Sequence, residues 1–141
     1  MVNEVIFKDY SIQVKQCLED AVIAYLHEAG GEVVSQTQRN MDRLPGEWFK
    51  KQQGSWRYIV DADAKECIIG NPLEESIWTE FGTGEYALKG NGRKGGWIYF
   101  DEKRKEYRKT FGQSPKRPLF TAFNSLKETL IRRAEDFFKE L

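Results

Sequence analysis

His27 is the only histidine of this 141-residue chain, and Cys17 and Cys67 are its only cysteines. These residues come first in any search for chemistry, because imidazole titrates near neutral pH and a thiolate is a nucleophile and metal ligand. His27 lies inside a helical pattern. It has no spaced partner to make it a general base, so it reads as an ordinary helical residue near a helix C-terminus. Cys17 falls in a helical pattern and Cys67 in a strand pattern, far apart and in no metal-like spacing. Two reduced, buried thiols are expected rather than a disulfide. Glu74 and Glu75 are adjacent carboxylates, and neighbours on a helix point in different directions, so spacing alone does not make them a catalytic pair. No catalytic residue, cofactor or metal site is expected, and the chain reads as a non-enzyme.

Two other features invite a binding role. Gly82 to Gly96 reads GTGEYALKGNGRKGG. Its glycines and cations suggest a phosphate loop, but neither half matches GxxxxGK[ST], and the second leads into a strand rather than a helix N-terminus. A long mobile loop is the plainer expectation. From Lys89 to Arg117, ten lysines or arginines face three acids. This stretch is seven positive in a chain whose 22 basic and 22 acidic residues balance. Trp97, Tyr99, Phe100, Tyr107 and Phe111 interleave with the cations. A nucleic-acid-binding module on residues 89–117 is one reading. The other is a hairpin whose positive face meets a negative face of a neighbouring subunit.

The elements that must position these residues follow from periodicity. Ser11 can cap a helix that carries Val14, Leu18, Ala21, Val22, Tyr25, Leu26 and Ala29 at helical spacing. Gly30-Gly31 predicts a break or kink before it resumes to about Asn40. Residues 1–10 could add a short strand or arm. Residues 41–54, with Pro45-Gly46 and Trp48-Phe49, read as an irregular loop. Ser55–Asp61 and Glu66–Gly70 predict an antiparallel hairpin with Trp56, Tyr58 and Val60 on one face. Pro72–Phe81 predicts a short helix, with Leu73, Ile77 and Phe81 sharing an apolar face. Trp97–Phe100 and Tyr107–Phe111 predict a second hairpin. Pro118 suits a first helical turn. Leu119, Phe123, Leu126, Leu130, Ala134, Phe137 and Leu141 then mark one apolar stripe.

The expected fold is one α+β domain over residues 1–141, with a flexible glycine-rich loop at 82–96. A mainly antiparallel sheet of about four strands would pack with the long N-terminal and C-terminal helices. No signal peptide and no membrane-spanning run is expected. Nineteen aromatic residues in one small domain point to a surface that meets partners.

Glu80-Phe81-Gly82-Thr83-Gly84, preceded by Ile77-Trp78, resembles the EFGTG signature of a tailed-bacteriophage family. That family comprises tail-completion or head–tail joining proteins, also described as minor capsid or neck proteins, and includes proteins like the lambda minor tail protein Z. Other stretches fit in the same order. Thr37–Asn40 resembles the end of the family's first helix, and Gly54-Ser55-Trp56 the entry to its first strand. Ile69–Glu74 resembles the strand end before the signature, and Gly90–Trp97 the glycine-rich loop. Gly112–Leu119 resembles the lead into the final helix, often KPQRPF. The likeness covers roughly residues 10–140. One departure is that Asp42–Gln53 lacks the VDTG often found before the first strand and carries Leu44-Pro45-Gly46-Glu47-Trp48-Phe49 instead.

The resemblance implies a structural virion protein without catalysis. It implies a homo-oligomeric ring, sixfold on assembly, between the head connector or adaptor and the tail tube. DNA passing through the lumen is a further implied partner, and no membrane is. The protein would be made in the host bacterial cytoplasm and end in the virion. The loop at 82–96 would order on assembly. Candidate interface or loop residues are Trp78, Glu80, Phe81, Gly82, Thr83, Gly84, Arg93, Lys94, Lys103, Arg104, Lys105 and Arg117.

Overall fold

A computed structural model describes residues 11–139, with side chains from residue 15 onward. The possible arm at 1–10 and Leu141 lie outside the described residues. Four helices and four strands follow in the order α1 (Ser11–Asn40), α2 (Glu47–Gln53), β1 (Arg57–Asp61), β2 (Glu66–Gly70), α3 (Glu75–Phe81), β3 (Trp97–Asp101), β4 (Glu106–Thr110) and α4 (Pro118–Lys139). This is an α+β fold framed by its long first and last helices.

The strands do not form the single sheet expected. They make two separate two-stranded sheets, β1–β2 and β3–β4, each antiparallel. The reason is where helices are available. The β1–β2 hairpin lies against α1, whereas β3 and β4 pack mainly on each other.

The main packing contact joins α1 to α4. Among the described residues, Ala21, Val33, Met41, Trp56, Ala122 and Leu130 form the buried apolar core. Tyr25 adds a polar tie by donating its hydroxyl to the Leu130 carbonyl at 2.5 Å. Arg133 of α4 reaches back to Glu28, at 3.4 Å, and to Glu32 of α1. Burial pushes the Tyr25 phenol above its ordinary value of 10.0. Arg133 pulls the other way, and Glu28 and Glu32 add to the rise. The folded state therefore favours the neutral phenol. Its contribution is complete below the ordinary value and is lost as pH rises through the raised one. Tyr25→Phe is expected to cost about 1 kcal/mol at pH 7. It should also flatten the fall in stability above pH 10, as read by urea titrations at several pH values.

α1 is unbroken through Gly30-Gly31, contrary to the expected break. Gly30 is buried because Tyr58 and Cys67 of the hairpin press onto it. A Cβ there would sit 2.6 Å from Cys67 Sγ and 2.8 Å from the Tyr58 ring. The glycine serves a close approach between helix and hairpin. Cys67 is half-buried where a buried thiol was expected, and burial raises its thiol pKa. Cys17 is exposed, against expectation.

The two hairpins share one turn. Asp61 Oδ1 accepts the N–H groups of Asp63 and Ala64, both at 3.1 Å. Asp101 Oδ1 accepts those of Lys103 and Arg104 at 3.0 and 3.2 Å. Each turn closes on a lysine at φ 56°, Lys65 and Lys105, followed by a glutamate. A left-handed non-glycine residue costs about 1–2 kcal/mol, partly offset by the greater freedom that glycine loses on folding. Lys65→Gly should therefore raise the urea midpoint by an amount worth about 0.5–1 kcal/mol, because β1–β2 is packed into the body. Lys105→Gly should show instead as slower amide exchange across residues 97–110. A lowered midpoint for Lys65→Gly would contradict the account.

Residues 47–53, expected to be part of a loop, form α2. Its buried side chain is Gln52, not Trp48 or Phe49. The glycine-rich segment also has a regular piece, a 3₁₀ turn over Gly84–Tyr86.

Candidate functional site

Helix α3 carries the signature, and it is inside out. Ser76, Thr79 and Glu80 are buried, while Ile77, Trp78 and Phe81 face solvent. Of the expected apolar face, Ile77 and Phe81 point outward, while Leu73 lies before the helix and is half-buried. An amphipathic helix normally turns its apolar stripe inward. Here the polar side wins because each buried group has a partner. Thr79 Oγ1 donates to Gln52 Oε1 at 2.5 Å, and both residues are almost fully buried. Gln52 Nε2 in turn donates to the Trp48 carbonyl at 3.2 Å. The Thr79 carbonyl accepts Lys116 N–H at 2.8 Å.

Glu80 has the most specific task. Only 5% of it is exposed. Its two carboxylate oxygens accept the N–H groups of Leu119, at 3.0 Å, and Phe120, at 2.9 Å. These are first-turn amides of α4, which have no partner within their own helix. A carboxylate at this end also meets the positive pole of the helix dipole. Glu80 therefore acts as the N-terminal cap of α4, supplied from another helix. Arg117 Nε lies 3.9 Å from Glu80 Oε1. The Arg117 guanidinium lies over the Phe120 ring at 3.9 Å and near the Phe81 ring at 5.8 Å. Its backbone sits at φ 54°, and Nε has no hydrogen-bond partner. Strain at a non-glycine residue of this kind persists only where its surroundings over-determine it.

The rest of the signature is a clasp. Thr83 N–H donates to the Gln113 carbonyl at 2.9 Å, and Gln113 N–H donates to Thr83 Oγ1 at 2.8 Å. Glu85 N–H donates to the Phe111 carbonyl at 2.9 Å. Gly82 ends α3 at φ 76°, and Gly84 at φ 62° lies against the Phe111 backbone. Glu80, Gly82, Thr83 and Gly84 thus tie residues 80–85 to 111–120. Trp78 and Phe81 are instead exposed.

The outward side of α3 forms a ridge between two shallow depressions. One, of about 390 Å³, runs from Trp56 past Ile77 and Phe81 to Phe120 and Phe123 of α4. The other, of about 270 Å³, lies between Trp78, Phe81, Ala87 and Lys89. Phe123, expected in the apolar stripe of α4, is exposed here. The ridge exposes Ile77, Trp78 and Phe81 on a helix whose Ser76, Thr79 and Glu80 point inward.

No family model, curated protein or solved structure matches the chain.

The basic candidates lie elsewhere. Lys103, Arg104 and Lys105 form the turn of the β3–β4 hairpin. Arg104 and Lys105 pair locally, with Asp101 at 4.0 Å and Glu102 at 3.5 Å. Arg93 lies over the Trp97 ring at 5.8 Å, and Lys94 is exposed. No ion pair among the described residues joins this group to α3. Of the cations in the basic stretch, Arg117 lies beside Glu80 of the signature and Lys89 lies over the Phe81 ring at 5.2 Å. His27 lies well before the end of α1 rather than near it, with Nδ1 3.2 Å from the Tyr58 hydroxyl. Among the described residues, no three His, Cys, Asp or Glu side chains group to hold a metal ion. No helix among the described residues is long and apolar enough to cross a membrane.

Gln52 and Thr79 are the structurally decisive residues that sequence reasoning missed. Their partners lie 27 residues apart, and neither type signals burial.

Proposed function

We propose that this chain is a non-catalytic structural subunit of the head–tail junction of a tailed phage or prophage, assembling as a ring between head connector and tail tube. The observation that carries this reading is the outward apolar ridge of α3. The segment that resembles the family signature uses its polar residues to organise the fold and leaves Ile77, Trp78 and Phe81 for something outside the chain. Contiguous apolar surface of this kind marks interaction sites more often than isolated exposed residues do. Segregated charge within a neutral chain adds a means to set register between unlike patches.

The test is joining. Purified protein is mixed with connector and tail-tube proteins and followed by electron microscopy and gel filtration. Wild-type protein is expected to join both. An Ile77→Ser/Trp78→Ser variant is expected to keep its circular dichroism and lose joining by at least tenfold. Wild-type protein that binds neither component, or a variant that joins as well as wild type, would end the proposal.

A second reading, nucleic-acid binding by residues 89–117, is favoured by the cations stacked on aromatics: Arg93 on Trp97, and Lys109 over Phe111 at 5.1 Å. It predicts a duplex-DNA gel shift that weakens steeply with salt. Absence of a shift at low salt removes it.

A further inference from the structure

We propose that neighbouring copies of this chain join hairpin to hairpin, with the outward face of β3–β4 on one copy packing against the outward face of β1–β2 on the next. This rests on the ring reading above and names the contact that would build it. A two-stranded hairpin alone is barely stable in water and needs a further layer against its apolar face. The β1–β2 hairpin has one such layer, since Tyr58, Val60, Cys67 and Ile69 face α1. Its other face does not. There Ile59 and Ile68 sit directly opposite each other, 62% and 56% exposed. The next pair toward the turn on that face is Asp61 and Glu66. β3–β4 is barer still. On its outward face Phe100 pairs with Tyr107, their rings edge to face at 5.1 Å, and Ile98 pairs with Lys109. Ile98 is 70% exposed and Tyr107 76%.

The occupant follows from charge. The β1–β2 face carries two acids and one cation, Arg57, around its isoleucines. The β3–β4 face carries a lysine and no acid, and its turn adds Lys103, Arg104 and Lys105 against one acid, Glu102. The two faces are apolar at the centre and opposite in sign. The depression beside α3 holds Arg117 and Glu80 together and offers no net negative charge to attract the basic hairpin. Two such sheets stack at about 10 Å, as in a sandwich. The contact joins two different patches, so it propagates from copy to copy, as the ring reading requires. Each face spans only ~16 Å by ~10 Å. That is small for a stable dimer, so pairwise association is weak and depends on concentration.

The experiment uses the full chain with one face blocked at a time, by Ile68→Lys or by Ile98→Lys, and sedimentation velocity at up to several hundred micromolar. Wild-type protein is expected to form species larger than dimers. Each variant alone should stay monomeric. A 1:1 mixture should give a dimer that grows no further, because one intact face of each kind remains. Lys109→Glu should also weaken assembly, and adding Glu66→Lys in the same chain should restore it. That pair keeps the test sound if Ile98→Lys disturbs its hairpin. Variants that assemble like wild type, or mixtures that stay monomeric, refute the hairpin contact and leave the ring reading standing. Wild-type protein that stays monomeric even with connector and tail tube refutes both. Loss of DNA binding in Ile98→Lys without a change in mass would assign the face to nucleic acid and overturn the proposal.

Discussion

Glu80→Ala is expected to cost the fold about 3 kcal/mol, from two charge-assisted hydrogen bonds and a lost helix cap. The carboxylate is buried and both its oxygens are used. Its removal orphans the N–H groups of Leu119 and Phe120 and takes the acid away from Arg117. For a chain of this size the melting temperature should fall by roughly 10 °C. Glu80→Gln keeps one good acceptor and loses the charge, so about half the penalty is expected. The pattern separates capping from catalysis, because both variants lose stability in proportion to the bonds they lose. Thermal melts of the two variants beside wild type make the measurement. An alanine variant within 0.5 kcal/mol of wild type would show that Glu80 does not hold α4.

Gly84→Ala is expected to cost a similar amount, about 3 kcal/mol, by a different route. At φ 62° an alanine is strained by about 1–2 kcal/mol. Its Cβ would also fall on the Phe111 carbonyl, which is backbone and cannot step aside. Overpacking of this kind adds about 1–3 kcal/mol. The clasp should open before the rest of the fold. Amide exchange at Thr83, Glu85 and Gln113 should therefore quicken more than exchange within α1. Equal quickening everywhere would mean that the clasp and the helices unfold as one unit.

Both residues belong to a motif whose order was legible in the sequence while its direction was not. The hairpins could be read because alternation and turn chemistry are local. Tyr58 and Val60 lie on the covered face, as alternation requires, and an aspartate begins each turn. α4 could be read because its apolar residues keep helical spacing over 22 residues. α2 could not, because Trp48 and Phe49 are adjacent and the residue it buries is a glutamine. α3 was expected three residues too early, and Ile77 and Phe81 of its apolar face turn outward. The rule that apolar residues turn inward assumes that buried polar groups lack partners. Thr79 and Glu80 have theirs on α2 and α4, and no local pattern carries that information. The separation of the strands into two sheets has the same origin. Pairing within each hairpin is written in its turn, and pairing between hairpins is decided by which helices lie beside them.

The inside-out helix has a thermodynamic consequence. Phe81 faces outward, and the residue before it holds the first amides of α4. Whatever grips the outer side of α3 therefore restrains the start of α4 through a single peptide bond. By mass action, a ligand that engages only the native state raises its melting point as occupancy grows. Docking at the ridge would thus stiffen α4 from its origin, and the heat resistance of the subunit would report how fully its neighbours have arrived.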